Sequence, residues 1–319
     1  MTYMIPIMKG KCWRIDHAVL IIILFSGIFL SCEKVQQGDT QESVDADSSL
    51  YVVRDLTEDS IFTSGIEGPA VSSEGILYLV NFDHQGTIGQ VTPKGEASLF
   101  IELPAGSIGN GIRFDSKGYM YIADYTQHNV LRVDMNSREV SVFAHDSTMN
   151  QPNDLAITND DVLFASDPNW AESTGNLWRI DTQGVVTLLE SGMGTTNGIE
   201  VSTDGKHLYV NESVQRNVWV YDLDENYNIS NKRLLIQFDD YGMDGMRCDV
   251  KGNLYITRHG KGTVVMISPE GELIREIQMK GTKPSNIAFG GPEGKTCYVT
   301  LQDRGCVETF EAEYPGRAK

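Results

Sequence analysis

The chain has 319 residues, with 26 Lys and Arg against 44 Asp and Glu, a net charge of −18 at pH 7. That surface repels phosphate backbones, so nucleic acid is excluded as the expected partner. The five cysteines show no metal-type spacing, which argues against a zinc-finger or disulfide scaffold.

In chain order, the first feature is a leader. Lys9, Lys11 and Arg14 precede an uncharged run from Ala18 to Leu30, too short for a comfortable bilayer span but suited to a signal-peptide core. It runs into Phe29-Leu30-Ser31-Cys32, which resembles a bacterial lipobox, with Cys32 as the lipidated residue. An ordinary cleaved signal peptide or an N-terminal anchor is the alternative. Residues 33–50 are polar and lack aromatic residues, so they predict a tether. The expectation is a signal peptide over 1–32, a tether over 33–50 and one domain over 51–319. The protein would be exported and tethered to a membrane, on its periplasmic or cell-surface face, only through its N-terminal lipid, and monomeric.

From there one phrase recurs: EGPAVSSEGILYLV, NGIRFDSKGYMYIAD, NDLAITNDDVLFASD, NGIEVSTDGKHLYVN, DGMRCDVKGNLYIT and SNIAFGGPEGKTCYVT. Each copy holds a polar head, an alternating strand, a turn and a second strand; a third such as NVLRVD or NVWVYD follows. The heads are Glu67, Asn110, Asn153, Asn197, Asp244 and Ser285, spaced by 41 to 47 residues. A period near 44 built from about four short strands predicts an all-β, six-bladed β-propeller of four-stranded antiparallel blades. Outer strands such as EVSVFAH, VVTLLE, KRLLIQF and LIREIQM close blades two to five, but the sixth copy ends at CVETF. SIFTS (60–64), just before Glu67, is expected to complete it, so that an N-terminal strand closes the ring and removes its edges. A Cys297–Cys306 bridge across the last hairpin is possible in an exported chain.

In a propeller the first strand of each blade lines the axis, so the six heads converge at one mouth. All six side chains carry an oxygen, and two are carboxylates that repel unless a cation or proton lies between them. Carboxylates with amide oxygens suit a hard ion. Ca²⁺ comes first and Mn²⁺ or Mg²⁺ next; Zn²⁺ is disfavoured, as no His or Cys stands in the ring. A polar ring around a water-filled channel is the alternative. The loops after the second strands hold His84, Asp124, His128, Asp167, Trp170, Arg258 and His259 among others. Each alone reads as a solvated loop residue, and together they form a candidate substrate pocket.

The EGP at 67–69, ND at 153–154, NGI at 197–199, DGM at 244–246 and NIAFGGPEGKTCYVT at 286–300 resemble the senescence marker protein (regucalcin), gluconolactonase and luciferin-regenerating enzyme family over 60–310. The resemblance implies a propeller holding a divalent metal, commonly Ca²⁺, and in several members lactone hydrolysis. It implies Glu67, Asn197 and Asp244 as metal ligands, Asn153 beside metal and substrate, and Asp244 as the group that orients or deprotonates water. It assigns Asn110 and Ser285 no uniform role. Two positions depart from the pattern: Val71 stands where Trp is usual, and Gln151 where sugar-lactone enzymes often carry Arg. With no G-x-S-x-G nucleophile elbow, a covalent serine mechanism is not expected. The expected function is metal-dependent hydrolysis of a small-molecule lactone; the alternative is a binding or scaffold propeller with a structural calcium.

Overall fold

The computed structural model describes residues 49–317. The leader, Cys32 and nearly all of the tether lie outside the described residues. Among the described residues there is no helix, and therefore none long and apolar enough to cross a membrane.

A two-residue strand, β1 (Arg54–Asp55), precedes six antiparallel sheets. Blade one contains β2 (Phe62–Val71), β3 (Leu77–Phe82), β4 (Thr87–Val91) and β5 (Ala97–Glu102). Blade two contains β6 (Gly109–Phe114), β7 (Met120–Asp124), β8 (Asn129–Val133) and β9 (Val140–His145). Blade three contains β10 (Leu155–Ile157), β11 (Leu163–Asn169), β12 (Thr174–Ile180) and β13 (Val186–Met193). Blade four runs β14 (Thr196–Val201), β15 (His207–Glu212), β16 (Asn217–Leu223) and β17 (Ile229–Gln237). Blade five runs β18 (Met246–Cys248), β19 (Leu254–Arg258), β20 (Thr263–Ile267) and β21 (Leu273–Gln278). Blade six has β22 (Pro284–Gly290), β23 (Thr296–Leu301) and β24 (Cys306–Glu311), with β1 as its fourth strand.

Burial follows strand position. The second strands, such as LYLVNF in β3 and LYITR in β19, are buried on both faces because neighbouring blades cover them. This produces near-continuous apolar runs rather than clean alternation. The outer strands β17 and β21 are largely exposed. Apolar layers fill the spaces between blades, as where Tyr78, Val80, Phe100, Ile112, Ile122 and Leu131 join blades one and two. The turn between first and second strands demands positive φ, met by Gly118 at 84° in blade two and by Asp161 at 63° in blade three. Asp, unlike most non-glycine residues, tolerates that region.

An N-terminal strand closes the ring, but not the expected segment. Arg54 pairs with Thr309 and Asp55 with Glu308, whereas Phe62 already begins β2. A stretch leading directly into Glu67 at the axis cannot also lie at the rim, about 14 Å away across three strand spacings. Residues 56–61 make that crossing, and the Ser60 and Phe62 amides donate to the blade-six carbonyls of Arg304 (2.8 Å) and Gly305 (3.0 Å) without forming its fourth strand. The Cys297–Cys306 bridge is absent: both thiols are free, because Cys297 pairs with Phe310 and Cys306 with Leu301 at opposite ends of the hairpin.

Candidate active site

The first strands enter at the axis, and their heads are bonded blade to blade. The Gly111 amide donates to the Asn153 carbonyl (2.8 Å), and the Gly245 amide to that of Ser285 (2.7 Å). The residue after each head faces a crowded channel. A Cβ on Gly111 would lie 2.6 Å from Asp154 Oδ1, and one on Gly245 would lie 2.0 Å from Asn286 Cγ. Glycine at these two positions therefore makes room for Asp154 and Asn286.

Glu67, Asn110, Asn153, Asn197 and Asp244 line one axial cleft of about 400 Å³. Glu67 is buried, and its Oε2 accepts hydrogen bonds from the Gly68 amide (2.7 Å) and Asn286 Nδ2 (2.9 Å). Burial first, then the charge of Asp154, pushes Glu67 up to about 7. Burial first, then the charge of Glu67, likewise hold Asp244 well above the usual carboxylate range, with the neighbouring Asn197 amide opposing that rise. The Oδ1 atoms of Asn153 and Asn197 are buried without a hydrogen-bond partner. Buried amide oxygens are rarely left so.

Among the described residues, no three His, Cys, Asp or Glu side chains converge as a metal cluster. The cleft offers two carboxylates and two unpartnered amide oxygens instead, a donor set that suits a hard cation such as Ca²⁺. A cation and a proton would compete for the carboxyl pair. Because its affinity for protons is raised, charging the pair opposes folding without a cation. The chelated protein should therefore lose stability as pH rises from 4.5, the ordinary glutamate value, to about 7. The gain in melting temperature from added Ca²⁺ should be larger at pH 8 than at pH 5, as thermal melts at both pH values would reveal; a larger gain at pH 5 contradicts this site.

The other candidate residues are placed differently. Ser285 is fully buried, donating to the Ile66 carbonyl (2.9 Å) and bonded to Thr300 Oγ1 (2.8 Å). Its neighbour Asn286 is the side chain that reaches Glu67. Asp167 does not line the cleft; its carboxylate accepts from the amides of Asn150 (2.8 Å) and Gln151 (2.6 Å) and from Trp178 Nε1 (2.8 Å). Arg258 is likewise committed to the scaffold, paired with Asp240 (2.8 Å) and stacked 3.9 Å from the Phe238 ring centroid. His128 occupies a tight turn at φ 58° outside the cleft lining. His259 does line the cleft, its Nε2 3.1 Å from Gln302 Oε1, and burial holds its pKa below the usual histidine value.

Beneath the cleft lies a charged plug that the repeat pattern did not bring forward. Asp154 is paired with Arg113 (3.4 Å) and Arg247 (3.2 Å). Glu200 lies 3.9 Å from each of these arginines and 3.3 Å from Arg317. Arg113, Glu200 and Arg247 each stand two residues after the channel-facing second head position, so β-strand alternation brings their side chains to that same face. Arg317 arrives from the C-terminal segment, its amide bonded to the Cys248 carbonyl (2.9 Å). Arg317→Ala should cost about 2–3 kcal/mol in urea denaturation, less than the 3–5 of a fully broken buried pair, because two arginines remain near Glu200. An unchanged urea midpoint would mean that the plug is not needed at this end.

A larger groove, about 660 Å³, lies away from the axis between blades four and five. Its charges answer one another, with His207 near Asp204 (3.8 Å) and Arg233 on Asp222 (2.7 Å).

An axial cleft with acidic and amide heads from five of six blades defines a class of propeller, and comparison with known proteins identifies which. Residues 66–303 match the SMP-30/gluconolactonase/LRE-like family, and the chain belongs to that family. It is similar to the gluconolactonase of Zymomonas mobilis, 28% identical over 270 residues, covering 73% of this chain and 75% of that one. It is also similar to the diisopropyl-fluorophosphatase of Loligo vulgaris, 26% identical over 295 residues, covering 82% and 92%. Among solved structures, a calcium-binding protein, regucalcin, from Agrobacterium tumefaciens superposes with a TM-score of 0.73 at 20% identity, covering 84% of this chain and 95% of that one. At that identity the structural likeness speaks to the fold alone.

Proposed function

We propose that this protein is a hydrolase that opens a lactone in the axial cleft, with Asp244 as the base and a divalent cation, Ca²⁺ first, held by Glu67, Asn153, Asn197 and Asp244. The observation that carries the reading is the pair of buried, unpartnered oxygens on Asn153 and Asn197 beside two carboxyls. Membership of a family that includes a gluconolactonase supports the substrate class. When bound, such a cation supplies a positive charge that polarises the ester carbonyl and stabilises the developing oxyanion.

The chain's own groups account for the rest. Asp244, made more basic by burial and by Glu67, accepts a proton from a water that attacks the lactone carbonyl carbon. The ring C–O bond breaks, the proton passes to the ring oxygen, and a hydroxy acid leaves. Asn286 and the Gly68 amide hold Glu67 in place through their hydrogen bonds. The plug beneath keeps the floor of the cleft rigid.

Export and attachment through a lipidated Cys32 complete the proposal, which would set the propeller just off a membrane surface. The test of activity is a panel of sugar, aliphatic and aromatic lactones, with diisopropyl fluorophosphate as the control suggested by the squid relative. Hydrolysis of at least one lactone is expected. A panel with no turnover favours the scaffold alternative.

A further inference from the structure

The walls of the cleft differ. On blades two and three they are apolar, formed by Ile108, Tyr125 and Trp170; on blades one, five and six they are polar, formed by Asn81, Gln85, His259 and Gln302. No Lys or Arg is among the lining residues. The nearby arginines are engaged elsewhere, Arg258 with Asp240 (2.8 Å), and Arg113 (3.4 Å) and Arg247 (3.2 Å) with Asp154 beneath the floor. Lys283, beyond His259, is exposed and its charge is offset by Asp303. The polar wall is neutral: Asn81 is spent on the Gly65 carbonyl (2.7 Å) and the Gly86 amide (3.2 Å), and His259 is bonded to Gln302 (3.1 Å).

The apolar wall is open to a ligand. Trp170 is 38% exposed, an unusual state for so large an aromatic ring. Tyr125 is half-buried and lines the same wall. A ligand can therefore cover aromatic surface on one side, while a charged substituent finds no counter-ion on either. A bound divalent cation would balance the two floor carboxylates and leave little charge for a second anionic group. The chain as a whole, at −18, adds repulsion at longer range.

We propose that the site takes an uncharged lactone bearing an apolar substituent, which lies against Ile108, Tyr125 and Trp170, and that it discriminates against lactones bearing a carboxylate, sulfonate or phosphate. This rests on the lactone reading and narrows it. The test uses δ-valerolactone, its phenyl derivative and its carboxyphenyl derivative, which keeps the aromatic area and adds one charge. With the Ca²⁺-loaded protein, kcat/KM should be about 10-fold higher for the phenyl lactone than for the parent, the scale of a hydrophobic pocket's discrimination. The carboxyphenyl lactone should fall about 10-fold or more below the phenyl one. Trp170→Ala should shrink the ratio of phenyl to parent toward unity. Equal or faster turnover of the carboxyphenyl lactone, or an undiminished ratio in Trp170→Ala, overturns the proposal.

Calorimetry on the three corresponding lactams separates this proposal from the activity it rests on. If no lactone is hydrolysed but the phenyl lactam still binds about 10-fold more tightly than the carboxyphenyl one, the lactonase reading falls and the charge discrimination stands. If lactones turn over but the lactams bind alike, the discrimination falls and the lactonase reading stands.

Discussion

Replacing Asp244 by Asn should lower lactone hydrolysis by roughly 10²- to 10⁴-fold, the usual range for a general-base group. The change keeps the shape and one oxygen but removes both the charge and the proton acceptor. Glu67→Gln should act differently. It removes the charge bonded to Gly68 and Asn286 and should chiefly weaken cation binding, so that excess Ca²⁺ partly restores turnover. Steady-state kinetics across a Ca²⁺ series distinguishes the two, because rescue is expected for Glu67→Gln and not for Asp244→Asn. In a scaffold with a structural ion, both variants would lower thermal stability through lost binding, with no turnover to lose.

Removing the chain ahead of Thr57 should open the ring. That segment supplies β1 and the amide bonds of Tyr51 to the Glu311 carbonyl (2.8 Å) and Leu56 to that of Val307 (2.9 Å). Asp55 also bridges Lys280 (2.6 Å) and Arg304 (2.7 Å). Tyr51 and Val53 pack on the core of blades five and six, and Leu56 on the core beside blade one. Losing the burial of three such side chains against the core forfeits on the order of 5 kcal/mol, and β24 becomes a free edge open to pairing with other chains. A fall of several degrees in melting temperature, with aggregation, is expected relative to the full chain. A truncated protein that melts at the same temperature and stays monodisperse would show that closure does not depend on β1.

The fold was legible because the repeat is set by local chemistry. A polar head, a strand and a turn needing positive φ recur, as in NGIRFDSKG and NGIEVSTDG, and no other architecture absorbs six such units. The heads were legible for the same reason: the first residue of an axial strand has one place to go. Closure by Arg54–Asp55 was not, since a two-residue strand carries no periodicity and its register comes from Lys280 and Arg304, far along the chain. Nor were the loop residues. Asp167 is held by Asn150 and Gln151, and Arg258 by Asp240, 16 to 18 positions away, and only the folded loops bring those partners together. Asp154 and Asn286 had a readable signal, side chains at the second head position where the other four blades have Gly. Its meaning depended on how little room the channel leaves.

The most direct measurement follows lactone hydrolysis by one preparation of the wild-type protein, first as purified, then after exhaustive chelation, then after stoichiometric return of Ca²⁺. With Glu67, Asn153, Asn197 and Asp244 holding a functional cation, turnover should disappear on chelation and recover as about one equivalent is restored. Turnover that continues unchanged in the chelated protein would contradict the account.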